Sequence, residues 1–174
     1  VRKTSTYARK RLHHAPHYNG TEWINTIGRC RPYTTEPVPG SWLPGTSTIA
    51  DHVLAMARLS FERIKVGTTQ PDNTEDHDML AHILGVGMLR AIQIAGDDRT
   101  TNPMLPILDA ATDAMRRLRE RYDTQRRWGW DGPALTDMAD ALDVYQTIIE
   151  ASSPQQMADA TDLRIEILKR RATP

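Results

Sequence analysis

The chain has 174 residues with 22 Lys/Arg and 22 Asp/Glu, so its formal net charge is zero, and 39% of its residues are hydrophobic. That length suits one domain with a core that needs no covalent staple, and the single cysteine, Cys30, excludes an internal disulfide and is expected to be an unreactive thiol. The balanced total conceals a segregation. Up to Gly45 seven Lys/Arg face two acids, a balance of +5, and the remaining 15 basic and 20 acidic residues leave −5.

Residues 1–45 carry Pro16, Pro32, Pro37, Pro39 and Pro44 with four glycines, a density that interrupts any long regular element. They read as an extended arm. Its aromatic and aliphatic residues, among them Tyr18, Trp23, Ile24, Ile27 and Trp42, are too apolar for a free linker and predict some docking onto the body. The opening Val-Arg-Lys-Thr-Ser lacks the apolar stretch of a signal peptide, and no apolar run is as long as a membrane span, so a cytoplasmic setting without membrane contact is expected.

From Thr46 the periodicity turns helical, and residues 46–174 read as a single helical-bundle domain. Ser47 or Thr48 can cap a first helix through Ile49, Val53, Met56, Ala57, Phe61 and Ile64, ending near Gly67. Asp72 and Glu75 have capping-box spacing ahead of a second helix, whose run from Met79 to Ile94 is apolar around much of its girth and suits a central position. Gly85 and Gly87 in that run would let a neighbour approach closely, and Gly96 marks its end. Asn102-Pro103 opens a third helix through Ile107, Leu108, Ala111, Met115, Leu118 and Tyr122, which stops before Gly129. Gly132-Pro133 opens a fourth through Leu135, Met138, Leu142, Tyr145 and Ile148, and Ser153-Pro154 a fifth through Met157, Ala160, Leu163, Ile167 and Leu168. Short connections favour antiparallel neighbours, so the expected fold is all-α, an antiparallel bundle of about five helices behind a basic arm.

One constellation carries catalytic chemistry. His52, His77-Asp78 and then Asp109 or Asp113 follow the His…His-Asp…Asp order of HD-type phosphohydrolases, in which imidazoles and carboxylates hold a metal that acidifies a water. The simpler account is that acids in the first turn of a helix offset its dipole, as Glu75, Asp76 and Asp78 would. Asp78 and His82, four apart, could bind a metal or each other, and His13, His14 and His17 lie on a basic segment without a nearby acid. No phosphate-binding glycine loop, zinc spacing or nucleophilic-serine motif occurs, so no catalytic residue, metal ligand or cofactor is assigned.

Basic clusters are better populated. Arg116, Arg117, Arg119, Arg121, Arg126 and Arg127 lie within twelve residues and run into Trp128 and Trp130, a combination suited to phosphate recognition with indole stacking. The competing account pairs Arg117, Arg121 and Glu120 with neighbours at three- and four-residue spacing, sets positive charge against the end of the helix dipole and uses the indoles to cover the bundle end. In the arm, Arg2, Lys3, Arg9, Lys10 and Arg11 surround Tyr7 with no acid, so this segment can neutralise phosphates or dock onto an acidic surface of its own body or a second copy. Those six residues and the eight around the third helix are the candidate macromolecule-binding set.

The opening Arg-Lys-Thr-Ser-Thr-Tyr-Ala-Arg-Lys-Arg, the helix starts at Asp51-His52 and Asp76-His77-Asp78, and the segment from Arg127 through Gly132-Pro133 to Ala160 resemble a family of small proteins of tailed phages and prophages of proteobacteria. The resemblance spans about half of the chain in short patterns, and this chain differs in its longer Pro- and Trp-containing segment before the first helix. It implies a phage origin and the host bacterial cytoplasm, and no reaction. Family members lack a constant His near His77-Asp78, which weighs against a metal there. The expectation is an accessory protein that binds a host or phage protein or nucleic acid, in host takeover or anti-defence. An HD-type phosphohydrolase and a virion or assembly component, with the arm tying subunits together, are the alternatives.

Overall fold

A computed structural model describes residues 49–172, and the arm, with Cys30, its histidines and the cap at Ser47 or Thr48, lies outside the described residues. Among those described there are five helices and no strand: α1 (Ile49–Val66), α2 (Glu75–Ala95), α3 (Met104–Gln125), α4 (Gly132–Glu150) and α5 (Pro154–Ala172). The protein is an all-α antiparallel bundle. Helix α1 runs antiparallel to α2, with Arg63 near its end reaching Asp76 in the first turn of α2 at 3.3 Å. It is also antiparallel to α4, where Arg58 meets Asp143 at 2.8 Å while Phe61 lies beside Trp130. Helices α1 to α4 therefore close into an up-and-down ring, and α5 is laid along α2.

Helix α2 touches all four others, which explains why its apolar residues extend beyond a single stripe. Leu80, Ile83 and Val86 are wholly buried, and each such side chain contributes about 1.5–3 kcal/mol of transfer free energy. Its 21 residues and mean hydropathy of 1.3 also satisfy the length and composition of a membrane span, contrary to the reading from apolar run lengths. Half of that window is buried inside the bundle, and Asp76, His82 and Arg90 are buried with it, so packing against other helices accounts for its apolarity. Both glycines work as expected. A Cβ at Gly85 would overlap the Arg164 guanidinium, and one at Gly87 would lie 3.1 Å from the Tyr145 ring.

Helix ends follow the sequence signals with two substitutions of partner. Asn73, rather than Asp72, accepts from the Glu75 amide at 2.7 Å, and α3 ends on Arg126 in the left-handed region (φ 51°) instead of on a glycine. Asp131 caps α4 by accepting from the Ala134 amide at 2.7 Å. Ser153 and Gln156 exchange two bonds in a capping box at the start of α5. Periodicity overstated burial in two places. Ile92 and Ile94 in the last turn of α2 are exposed, as are Leu163 and Leu168 in α5, whose neighbours among the described residues are α2 and, more lightly, α1.

The join between α2 and α3 rests on Asn102, which is 0% exposed. Its Nδ2 donates to the carbonyls of Ala91 (3.0 Å) and Gly96 (2.8 Å), and its Oδ1 accepts from the Met104 amide (3.1 Å). One side chain thus satisfies the end of one helix and the start of the next. Asn102→Ala should cost about 3 kcal/mol, since it removes a cap and the buried bond to the Ala91 carbonyl together with the bond to Gly96, whereas Asn73→Ala, at a partly exposed cap, should cost about 1 kcal/mol. Denaturant unfolding of the two variants measures the difference.

Candidate functional site at the end of the bundle

The arginine-rich stretch divides into two groups that the sequence does not distinguish. Arg116 pairs with Glu120 at 2.6 Å and Asp113 at 3.5 Å, Arg119 with Asp123 at 3.2 Å, and Arg117 bridges Asp131 and Asp137 across to α4 at 3.4 and 3.0 Å. Their charges are met locally. Arg121 instead donates from Nη1 to the Trp130 carbonyl at 3.2 Å, and Arg126 lies 5.7 Å from the Tyr122 ring centroid. Among the described residues no carboxylate pairs with Arg121, Arg126 or Arg127.

The left-handed turn at Arg126 redirects the chain so that the α3–α4 connection folds back over the bundle end. Trp128 enters the core, 2% exposed, and stacks on Tyr122 with ring centroids 4.1 Å apart and planes 11° apart. His77 lies 5.4 Å from the same indole. Trp130 covers Phe61 at 5.6 Å and donates from Nε1 to the Phe61 carbonyl at 3.4 Å. Both indoles therefore close the bundle end, and the faces of Trp128 are already occupied. Beside them the last turn of α1, the end of α3 and the connection enclose a cavity of about 290 Å³ lined by Lys65, Val66, Arg121, Gln125, Arg127 and Trp130 among others. Lys65 and Val66 lie about sixty residues before Arg127, and only the packing of the end of α1 beside the end of α3 brings them to it, so no local signal marked them. Gln125, two residues from Arg127, carries no charge or ring to single it out.

The HD-type residues are not gathered. His52 is buried near the start of α1, the end of that helix away from Asp76, whereas His77 and Asp78 open α2. Asp109 is held by Arg99 at 2.6 Å and Asp113 by Arg116. No group of three His, Cys, Asp or Glu side chains that could hold a metal occurs among the described residues. Asp78 accepts from Thr74 at 2.9 Å and pairs with His77 at 3.2 Å. Burial, the largest single influence, would raise its carboxyl, but the hydrogen bonds from His77 and Thr74 together with the charges of His77 and Arg119 outweigh it and lower the carboxyl. His82 is buried, and desolvation, reinforced by the Arg164 cation, pushes its imidazole from 6.5 down to about 3. Burial lowers His52 in the same direction.

The candidate arm residues Arg2, Lys3, Tyr7, Arg9, Lys10 and Arg11 lie outside the described residues. No protein-family model, curated protein or solved structure matches the chain.

Two outcomes follow from this geometry. Trp128→Ala should destabilise by about 3–5 kcal/mol, as for a buried aromatic, while Arg127→Ala at an exposed position should stay within about 0.5 kcal/mol, as thermal or denaturant unfolding would register. The depressed histidines set a pH dependence with a definite sign. Between about 6.5 and about 3 the unfolded chain binds protons that the folded His82 refuses, so stability falls as pH is lowered through that window and levels off below it. His82→Leu should flatten the decline relative to the unsubstituted protein when unfolding is followed from pH 7 to pH 4.

Proposed function

We propose that this is a phage or prophage accessory protein that acts by non-catalytic binding to a macromolecule of the host or phage, in host takeover or anti-defence. The observation that carries the reading is the segregation of charge, +5 in residues 1–45 against −5 in the remainder. A cationic segment followed by an acidic body suits recognition through the segment, because the segment holds most of the uncompensated charge able to neutralise phosphates. The resemblance to phage and prophage proteins supports the setting. Dispersal of His52, His77, Asp78, Asp109 and Asp113 over separate ends of the bundle supports binding over HD-type hydrolysis.

Of the two classes of partner, nucleic acid is the one the cationic groups favour, since Arg121, Arg126 and Arg127 add unneutralised charge on the body itself. The test is the affinity of the full chain for a single-stranded and a duplex oligonucleotide across a salt series. Binding should weaken linearly in log–log form, and replacing Lys3, Arg9, Lys10 and Arg11 with Ala should lower the magnitude of the slope by about 3, at about 0.7 to 0.9 for each of the four lost phosphate contacts. Absence of binding, or binding indifferent to salt, moves the assignment to a protein partner, which a pull-down from infected cells with and without residues 1–45 would then identify. Recovery of the chain in purified particles would favour a virion component instead.

A further inference from the structure

We propose that the cavity at the bundle end is a binding pocket for a phosphomonoester, the phosphate of a single nucleotide unit. The inference deepens the nucleic-acid reading and rests on it for the class of partner.

The lining carries three cations, Lys65, Arg121 and Arg127, and no acid. Lys65 is balanced by Glu62 at 2.9 Å, which leaves the two guanidinium groups without a carboxylate among the described residues. Elsewhere in the same stretch Arg116, Arg117 and Arg119 each have one, so the unpaired guanidinium groups gather at the end of α3, Arg121 and Arg127 in the cavity wall and Arg126 beside the Tyr122 ring. A guanidinium has five N–H donors, and Arg121 spends one on the Trp130 carbonyl, a bond that fixes the group in the cavity wall and leaves the others to be met.

Two uncompensated positive charges call for a dianion. A phosphomonoester carries about −1.5 to −2 near neutrality and offers three acceptor oxygens, whereas a single carboxylate would leave one cation unmatched. The α1 terminus does not oppose such a group strongly, because the carbonyls of Arg63 and Ile64 already accept from the amides of Thr68 (2.9 Å) and Gly67 (3.2 Å). At about 290 Å³ the space is at the small end for ligand pockets, suited to one nucleotide rather than a stretch of strand. Val66, largely exposed, and Trp130 supply an apolar shelf beside the cations. The indoles pinned over Tyr122 and Phe61 hold the wall in place before any ligand arrives.

The experiment is a nuclear magnetic resonance titration of the full chain with inorganic phosphate and then with AMP, following the indole N–H signals of Trp128 and Trp130. Saturable shifts of those signals are expected with both ligands. Arg127→Ala, at an exposed position, should weaken AMP by about tenfold or more, Arg121→Ala should do likewise, and Arg116→Ala, a paired arginine outside the cavity, should leave it unchanged. Oligonucleotides distinguish the source of the phosphate. Tighter binding of a 5′-phosphorylated strand than of its 5′-hydroxyl counterpart, lost in Arg127→Ala, assigns a strand end, and AMP binding without that preference assigns a free nucleotide.

Indole signals that stay fixed through millimolar phosphate and AMP would overturn the proposal, as would equal affinity in Arg127→Ala, or displacement by a glutamate-rich peptide when phosphate has no effect. The salt slope carried by Lys3, Arg9, Lys10 and Arg11 is measured separately. A failed pocket therefore leaves the arm's role intact, and a failed arm leaves the pocket's titration to be judged alone.

Discussion

Helix α2 is too apolar around its circumference to be left with a free side, and the rest of the architecture answers that constraint. Leu80, Ile83, Leu84 and Val86 lie in successive turns and point in several directions, so one or two neighbours could not remove them all from water. The solution is four neighbours, three completing the ring and α5 added outside it. Gly85 and Gly87 make this arrangement sterically feasible, since they admit Arg164 of α5 and Tyr145 of α4 where side chains would otherwise collide. Burial is then complete enough that polar groups on α2 must find protein partners. Asp76 takes Arg63 and Thr69, and Arg90 takes Ser152 and Gln93.

Closing the ring also sets the chemistry of its ends. The chain leaves α3 through a left-handed residue, places Trp128 under Tyr122 and Trp130 over Phe61, and starts α4 on the Asp131 cap within five residues. The connection is thus a packed plug with a cavity beside it. The same geometry brings Asp131 and Asp137 to Arg117 and keeps acids away from Arg121 and Arg127. Arg116 and Arg119 are neutralised by acids of α3 itself and Arg117 by facing α4, whereas Arg121 and Arg127 face the bundle end, where no acid lines the cavity.

Of the two accounts of the arginine stretch, local pairing and an indole cover describe Arg116, Arg119, Trp128 and Trp130. Helical spacing indicated pairing for Arg117, Arg121 and Glu120, and only Glu120 finds its partner that way, in Arg116 four residues before it, while Arg121 has no carboxylate among the described residues and donates to the Trp130 carbonyl. The partners of Arg117 were not legible, since Asp131 and Asp137 lie on another helix. The sequence likewise showed two tryptophans after a basic run without showing that one would be core. A buried indole and an exposed stacking platform have the same local sequence, and only the environment of the ring separates them.

The number of helices, their ends to within a few residues, the central place of α2 and the close approaches at its glycines were determined by the chain alone, through periodicity and end-capping chemistry that act over three or four residues. Tertiary structure decided what depends on residues far apart in sequence. It exposed Leu163 and Leu168 despite their spacing, separated His52 from His77, and drew Lys65, Arg121 and Arg127 around one cavity. Local spacing fixes which face of a helix a residue occupies. What that face meets is a property of the packed bundle, and charge, burial and binding all depend on it.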